Sequence, residues 1–377
     1  MRADATDEFF IAPGLTYLNH ASYGAATRTV VATARQLADQ IEADPIGELG
    51  ATALAPRFRT ICDQLCTDLQ LPSERTVLTP NTTSASAALI ASLPLTERDV
   101  VVMLDTEYES IMRGWQVRCR QAGARFTTVP VSLPFTGPEQ LLADLDTAVT
   151  GRVTYLVASH ISSSTAIMFP IDAISQWATA RGGRLLVDAA HTPGHVPSAV
   201  PDGPIAAVFA NVHKWYPAMR SVGLLSLAPD LVDVVRPAEV SLTWDCDDLT
   251  ERFSWPGTFD PTPRLSVPAA IAQHSEWREA GRLATCQRLA DSTVTLMVAL
   301  GATPTTTPGF MPPRIRAFFL DGVSVVETKA ALSAANIRAW VGSDAGGRTI
   351  LRVAAHVYND AADLELLGST IKEMLAR

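Results

Sequence analysis

Short, unbroken apolar runs recur through the first two-thirds of the chain and alternate with segments of helical spacing. Such runs are typical of strands that are buried on both faces of a mostly parallel sheet. The intervening segments carry apolar residues three or four positions apart, as at Val30, Ala34, Leu37 and Ile41, which predicts amphipathic helices. The predicted strands are Thr76–Thr79, Val100–Leu104, Phe126–Val131, Val153–Ser159, Leu185–Asp188, Ala206–Ala210 and Gly223–Leu227.

The pattern changes after Pro268. A long helical pattern runs from there to about Leu300, and a last helix carries leucine and isoleucine on one stripe between 364 and 375. We therefore expect an α/β fold, with a large domain over residues 16–264 that holds a mostly parallel seven-stranded sheet. Residues 1–15 and 265–377 are expected to form a smaller α+β domain. Its predicted strands are Ile315–Leu320, Ile337–Val341 and Ile350–Ala354.

The composition narrows the possible partners. The 377 residues are 47% hydrophobic and 18% charged and carry a net charge of −9, which fits a large globular core and disfavours nucleic acid as a partner. The acidic start leads into no apolar segment, and no apolar stretch is long enough to span a bilayer, so we expect neither a signal peptide nor membrane insertion. Five scattered cysteines indicate a reducing compartment, and a cytoplasmic location is expected.

An apolar strand ends in a carboxylate at Asp188, and Ala189, Ala190 and His191 follow it. Ligands of open α/β sheets bind at the carboxyl edge, where this side chain is expected to lie. An anion there can keep a heteroaromatic nitrogen protonated, because an adjacent negative charge favours the cationic form. The alternative is that Asp188 only caps a helix or closes a turn.

Lys214 follows another apolar run, within the segment Asn211-Val212-His213-Lys214-Trp215. Apolar and aromatic neighbours lower the pKa of an amine, which imine chemistry requires. Lys214 lies 26 positions after Asp188, which leaves room for one turn and one strand, so both side chains can reach the same sheet edge. A structural, ion-paired lysine is the alternative.

A strand also leads through Asn81, Thr82 and Thr83 into an alanine-rich helix. The start of such a helix offers free N–H groups, a positive dipole end and hydroxyl donors, which together favour phosphate binding. Threonine and serine also cap helices that bind nothing.

Together these three segments resemble the class V aminotransferase family of fold-type I pyridoxal-phosphate (PLP) enzymes, and within it the isopenicillin N epimerase-like branch. The likeness extends over nearly the whole chain. Further matching segments are Tyr17–Gly24, Phe253–Asp260 and Leu351–Asn359. The resemblance implies a fold-type I PLP-dependent transferase fold with PLP as the cofactor.

The resemblance also implies a role for each matching residue. Lys214 would form a Schiff base with PLP and move the α-proton of the substrate, and Asp188 would pair with the pyridinium nitrogen. His191 would lie near the ring oxygen, Tyr108 would stack on the ring, and Ser163 would lie in a loop beside the cofactor. The residues expected around the phosphate are Thr82, Thr83, Asn211 and His213, with Thr258 reaching the phosphate of the neighbouring subunit of a homodimer.

The expected substrate is a small amino acid. By resemblance, Arg352 would grip its α-carboxylate, and a planar guanidinium matches a carboxylate with two parallel hydrogen bonds. The alternative is a strand arginine in a surface ion pair. His20 and Tyr23 are further substrate-binding candidates, and either of them, or Tyr108, could serve as a second acid or base. No metal site is expected, because the histidine and cysteine pairs lack the spacing of zinc ligands.

The resemblance leaves the reaction open between β-elimination, epimerisation and transamination or decarboxylation-linked deamination, since the branch includes epimerases, cysteine-conjugate C–S lyases and enzymes of antibiotic assembly. A persulfide-forming desulfurase is disfavoured, because the stretch 338–348 before Arg352 holds no cysteine. We favour β-elimination from a cysteine conjugate in secondary metabolism, since it needs only Lys214 as base and a leaving group at Cβ. A different kind of alternative is a protein with the PLP fold that has lost catalysis and serves as a binding or regulatory module. The intact Asp188, Lys214 and Arg352 disfavour it.

Overall fold

In a computed structural model of the protein, which describes residues 7–196 and 204–376, strands and helices alternate over the first two-thirds of the chain. The strands are β1 (Thr16–Tyr17), β2 (Thr76–Thr79), β3 (Val100–Leu104), β4 (Arg125–Val129), β5 (Tyr155–Ser159), β6 (Arg184–Asp188), β7 (Ile205–Asn211), β8 (Gly223–Leu227), β9 (Thr303–Pro304), β10 (Ile315–Leu320), β11 (Ile337–Arg338), β12 (Trp340–Ser343) and β13 (Thr349–Ala354).

The α-helices complete the fold, together with three short 3₁₀ turns at Ser73–Arg75, Pro229–Leu231 and Pro308–Phe310. The α-helices are α1 (His20–Tyr23), α2 (Arg28–Ala43), α3 (Pro45–Leu49), α4 (Ala51–Leu69), α5 (Thr82–Ser92), α6 (Glu109–Ala122), α7 (Pro138–Ala148), α8 (Ile171–Ala180), α9 (Leu249–Arg252), α10 (Thr262–Leu265), α11 (Val267–Glu279), α12 (Arg282–Ala299), α13 (Val325–Ala334) and α14 (Ala361–Leu375). In the described ranges no helix is both long and apolar enough to cross a membrane.

The central sheet has seven strands in the order β2-β8-β7-β6-β5-β3-β4. Strand β8 pairs antiparallel with both of its neighbours, and the other pairings are parallel. The predicted α/β fold with a mostly parallel seven-stranded sheet is confirmed. The bounds of some strands differ by one to two residues from the prediction, as for β5, which begins at Tyr155 rather than Val153.

Both faces of this sheet are buried, as the unbroken apolar runs predict. Along β3, Val100, Val102 and Leu104 pack into one hydrophobic core, whereas Val101 and Met103 pack into a second core on the opposite face. This division follows from the alternation of side chains along a strand. Helices α2, α4, α7 and α8 cover the first face, and α5 and α6 cover the second.

The C-terminal part contains an antiparallel sheet of four strands in the order β12-β13-β10-β9. Two predictions for this part are wrong. The single helix expected to reach Leu300 is two helices, because Gly281 at φ +70° ends the first of them. The strand expected over Ile337–Val341 is also divided, since β11 pairs with β1 while β12 pairs with β13. The domain boundaries stay a prediction.

Candidate active site

A cavity of about 480 Å³ opens at the carboxyl edge of the seven-stranded sheet. Strands β5, β6 and β7 end there at Ser159, Asp188 and Asn211, so three polar side chains meet at one edge. This is the place where open α/β sheets bind ligands. The lining residues are Ser22, Tyr23, Asn81, Thr82, Thr83, Tyr108, Ser159, Ile161, Ser163, Asp188, Ala190, His191, Asn211, His213, Lys214, Arg220, Ser221, Trp340 and Arg352.

The amine of Lys214 lies inside this cavity, where Nζ is 3.0 Å from Nε2 of His191. The loss of water around the amine lowers its pKa from 10.5 to about 7; the carboxylate of Asp188 raises it and the guanidinium of Arg352 lowers it further. A large part of the Lys214 amine is therefore neutral near pH 7, as a nucleophile or base must be. Gly24 permits this placement, because a Cβ on it would lie 2.2 Å from the main-chain oxygen of His213.

Asp188 is buried at the end of β6, and one of its carboxylate oxygens accepts a hydrogen bond from the N–H of Ala190 at 2.8 Å. Burial raises the pKa of this carboxyl to about 6, while the Ala190 N–H and the positive charge of Lys214 lower it. A cation placed beside the carboxylate would stabilise its ionised form further. Burial also places the pKa of the neighbouring His191 well below its ordinary value, so that imidazole is neutral.

The N-terminus of α5 forms a polar seat on one side of the cavity. The side-chain amide of Asn211 accepts a hydrogen bond from the N–H of Thr82 at 3.0 Å and donates one to the Thr82 hydroxyl at 3.1 Å. Asn81 caps the helix by accepting from the N–H of Ser84 at 2.9 Å. His213 also lines the cavity, with Nδ1 held 2.7 Å from the main-chain oxygen of Val222.

Arg352 approaches the cavity from β13 and is buried. Its guanidinium donates to the main-chain oxygen and the hydroxyl of Ser163, to Oδ1 of Asn19 at 2.9 Å and to the hydroxyl of Ser22 at 2.7 Å. These bonds fix the guanidinium plane beside the cavity. A substrate carboxylate that binds this plane would replace the two serine hydroxyls, which can turn to donate to it.

Glu107 is a buried carboxyl that the sequence analysis missed. Its two oxygens lie 2.8 Å from the N–H and 2.6 Å from the hydroxyl of Ser159. Burial raises the pKa of Glu107 to about 8, so this group is largely protonated at neutral pH. Glu107 thereby connects the end of β5 to the segment that carries Tyr108. The signal that could have indicated it is that β5 ends in a serine at the same sheet edge as Asp188, where a polar partner for that serine is expected.

Eleven of the thirteen predicted site residues line the cavity. His20 does not, because its ring is buried behind the Lys214 segment, stacked on His356 at 3.7 Å and 2.8 Å from the hydroxyl of Tyr358. The assignment of His20 to substrate binding is therefore not supported by its placement. Thr258 is exposed and also lies outside the cavity wall, and its predicted contact with a neighbouring subunit stays a prediction.

The cavity is also lined by residues that were not among the predicted site residues. Ser22 and Trp340 reach it through tertiary contacts, and Arg220 lines it while donating to the main-chain oxygen of Gly24 at 2.9 Å. Among the described residues, no cluster of three or more histidine, cysteine, aspartate or glutamate side chains is arranged to hold a metal ion.

The donor set of the cavity fits PLP. A buried carboxylate and a partly neutral amine lie in the same cavity as a helix N-terminus with two threonines, which matches the ring nitrogen, the aldehyde and the phosphate of that cofactor in kind. The Nδ1 atom of His191 is buried and has no hydrogen-bond partner among the described residues.

The chain is similar to known proteins in sequence and in fold. The family model for aminotransferase class V matches residues 21–367. Isopenicillin N epimerase from Amycolatopsis lactamdurans is 27% identical over 99% of this chain and 98% of its own. Putative L-cysteine desulfhydrase 1 from Oryza sativa subsp. japonica is 28% identical over 52% of this chain and 43% of its own. The solved structure of the cystine C–S lyase C-DES with cysteine persulfide superposes with a TM-score of 0.81 at 16% identity, over 96% of this chain and 98% of that one. The chain therefore belongs to the class V aminotransferase family and is a PLP-dependent enzyme.

Proposed function

We propose that the protein is a C–S β-lyase that cleaves the Cβ–S bond of an S-substituted cysteine. The observation that carries the proposal is the amine of Lys214, which lies inside the cavity and whose pKa is lowered to about 7. A β-elimination needs one base at Cα and a leaving group at Cβ, so one amine suffices. The relative from Oryza sativa, named as a putative L-cysteine desulfhydrase, is consistent with this class of reaction.

Two imidazoles also line the cavity. His191 lies against the amine of Lys214, and His213 is held by the main chain of Val222. Desolvation by burial lowers the pKa of both imidazoles, that of His213 to about 4. They are therefore poor proton acceptors at neutral pH, which leaves Lys214 as the base.

We assign some residues of the cavity to the cofactor and others to the substrate. When bound, PLP withdraws electrons from the α-carbon of the amino acid attached to it and makes the α-proton acidic. The Nζ atom of Lys214 removes that proton, while Arg352 holds the α-carboxylate. The remaining roles that we propose are Asp188 at the ring nitrogen, His191 near the ring oxygen, Tyr108 on the ring face, Ser163 beside the cofactor, Tyr23 at the substrate, and Thr82, Thr83, Asn211 and His213 at the phosphate.

The overall reaction is balanced with water as the only co-substrate. The Cβ–S bond breaks, and sulfur leaves with the bonding electron pair and takes up a proton. The three-carbon remainder is hydrolysed at the C–N bond. One S-substituted cysteine and one water thus give one thiol, one pyruvate and one ammonium ion.

Epimerisation at Cα is the second candidate, and it is favoured by the relative from Amycolatopsis lactamdurans, an isopenicillin N epimerase that matches nearly the whole chain. An epimerase needs a second acid or base that faces Lys214 across the substrate. Among the described lining residues, the phenols of Tyr23 and Tyr108 are the groups left for that role. A desulfurase is disfavoured, because no cysteine is among the lining residues described.

One experiment separates these reactions. The PLP-loaded protein is incubated in D₂O with S-methyl-, S-ethyl- and S-benzyl-L-cysteine and with a panel of D- and L-amino acids. Pyruvate and free thiol are measured together with deuterium at Cα. A lyase releases equal amounts of pyruvate and thiol, and the Lys214→Ala variant releases neither. Deuterium uptake with inversion and without pyruvate would refute the lyase and identify an epimerase. Formation of a keto acid only when an amino acceptor is added, or release of CO₂, would identify a transaminase or a decarboxylation-linked deaminase.

We infer further that the enzyme is a homodimer in which Thr258 reaches the phosphate of the neighbouring subunit. The exposed apolar side chains of Val240 and Leu242, 81% and 86% exposed, precede the segment that carries Thr258. A second copy is the partner that would cover them. Light scattering should give twice the mass of 40.4 kDa, and Thr258→Ala should weaken PLP binding in the dimer. A monomer that binds PLP as tightly as the wild type does would contradict this arrangement.

A further inference from the structure

Trp340 contacts the proposed carboxylate-binding group directly. It is the first residue of β12 and lies opposite Arg352 in the antiparallel pair with β13. Residues directly opposite each other in such a pair carry their side chains on the same face of the sheet. The Cζ atom of Arg352 lies 5.3 Å from the centroid of the indole, which is within cation–π range. The indole therefore covers one face of a guanidinium whose edges are hydrogen-bonded to protein.

Gly342 sets the position of this indole. Residues two apart along a strand point to the same face, so residue 342 lies beside the ring of Trp340. A Cβ on Gly342 would lie 2.4 Å from Cη2 and 2.6 Å from Cζ2 of the indole. Such contacts are far closer than carbon atoms tolerate. The indole can occupy its place between Arg352 and the strand only because residue 342 has no side chain.

The exposed part of the indole forms a wall of the cavity. Trp340 is half-buried and lines the same space as Tyr23, Tyr108 and Ile161. An amino acid with its carboxylate at Arg352 and its α-carbon within reach of Lys214 must direct its side chain into the space that these residues enclose. This placement rests on the proposed function.

We propose that Trp340 is a specificity-determining residue that receives the β-substituent of the substrate and selects an apolar or aromatic group. A flat or aliphatic substituent buries its surface against the indole, and aromatic pairs add about 0.5–1.5 kcal/mol beyond the area that they bury. A charged substituent loses hydration against the same wall. The substrate class is thus a cysteine with an alkyl or aryl group on sulfur. Arg220 also lines the cavity and would attract an anionic substituent instead, so the test includes an anionic ligand.

The test measures binding without turnover. L-Phenylalanine, L-alanine and L-glutamate lack a good leaving group at Cβ, and their dissociation constants for the PLP-loaded protein are measured by calorimetry. The decisive quantity is the Kd of alanine divided by the Kd of phenylalanine. From the apolar surface and aromatic contact that the indole offers, we expect a ratio of about 10 in the wild type, falling to below about 2 in Trp340→Ala and staying near the wild-type value in Trp340→Phe. Gly342→Ala keeps the tryptophan but displaces its ring, and should also lower the ratio.

Three outcomes would overturn the proposal. The first is an unchanged ratio in both Trp340→Ala and Gly342→Ala, even if all Kd values rise, because that would mean that the indole only supports Arg352. The second is a wild-type ratio at or below 1, and the third is tighter binding of glutamate than of phenylalanine. If Trp340→Ala does not fold, as judged by circular dichroism, Gly342→Ala decides. Pyruvate release from S-substituted cysteines is scored separately, so failure of the lyase reaction and failure of the selectivity are distinguishable.

Discussion

The pKa of Lys214 can be measured directly, because the chain contains three lysines and the other two, Lys329 and Lys372, are exposed. The structure lowers the pKa of the Lys214 amine to about 7, chiefly by desolvation. At pH 8 such an amine is about 0.9 neutral, whereas an ordinary lysine with a pKa near 10.4 is about 0.004 neutral. The reactive fraction of Lys214 is therefore roughly 200-fold larger at that pH.

The assay is brief reductive methylation of the PLP-free protein over a series of pH values, with each lysine quantified by mass spectrometry. Lys329 and Lys372 report the reactivity of the reagent at every pH. Labelling of Lys214 should reach half its maximum near pH 7. In Asp188→Asn the midpoint should move to lower pH, because the carboxylate of Asp188 stabilises the charged amine.

A midpoint above about pH 9 would refute the electrostatic argument, since it would mean that the cavity does not desolvate the amine. A midpoint that rises in Asp188→Asn would refute the assigned coupling between the two groups. Lack of labelling at every pH would show that the amine does not face the cavity.

Three further predictions concern positions around the amine. Gly24→Ala places a Cβ 2.2 Å from a main-chain oxygen, on a residue with φ +59°. It should lower the free energy of unfolding by about 1–3 kcal/mol and weaken PLP binding. The matched control in thermal unfolding is Gly14→Ala, which is also at positive φ but has no atom within 4 Å of the added Cβ. Arg352→Ala should raise KM for carboxylate substrates at least about tenfold, since it removes charged hydrogen bonds of about 1.5–3 kcal/mol, and an unchanged KM would place the carboxylate elsewhere. The pKa of Glu107 is raised from an ordinary 4.5 to about 8 in the folded protein. Between these pH values the folded protein keeps the proton on Glu107 and the unfolded chain releases it. The free energy of unfolding should therefore fall as the pH rises from 4.5 to about 8. Glu107→Gln should remove this pH dependence. Glu107→Ala should lower the free energy of unfolding at every pH, because it leaves the N–H of Ser159 unpaired. Equal pH profiles for Glu107→Gln and the wild type would contradict the assigned role of the Glu107 proton.

The large sheet was predictable because its strands are unbroken apolar runs. Strands β2, β3 and β8 have the predicted bounds, since each run stops at a polar residue or a turn. The break at Gly281 was not predictable in the same way, because apolar spacing continues on both sides of it. Strand β12 was also missed as a separate element, since the chain changes from one sheet to another between Arg338 and Trp340 without a change in hydropathy.

In the site, too, residues placed by local sequence patterns were predictable, and residues placed only by tertiary contacts were not. Asp188, Asn211 and Lys214 follow apolar runs, so their meeting at the carboxyl edge could be expected from the sequence alone. His20 and Tyr23 could not be told apart, because the single turn of α1 buries the first and turns the second to the cavity. The contact of Trp340 with Arg352 depends on strand pairing, which no nearby residue indicates.

The two ends of the proposed substrate are held by separate sheets. Lys214 follows the seven-stranded sheet, whereas Arg352 belongs to the four-stranded one, more than a hundred residues later. The residue proposed to hold the α-carboxylate and the residues proposed to hold the coenzyme therefore lie in separate parts of the sequence. A mutant library over positions 340–351 would vary Trp340, the proposed specificity-determining residue, and would keep Arg352, Asp188 and Lys214. This short hairpin is therefore a direct target for changing the substrate selectivity.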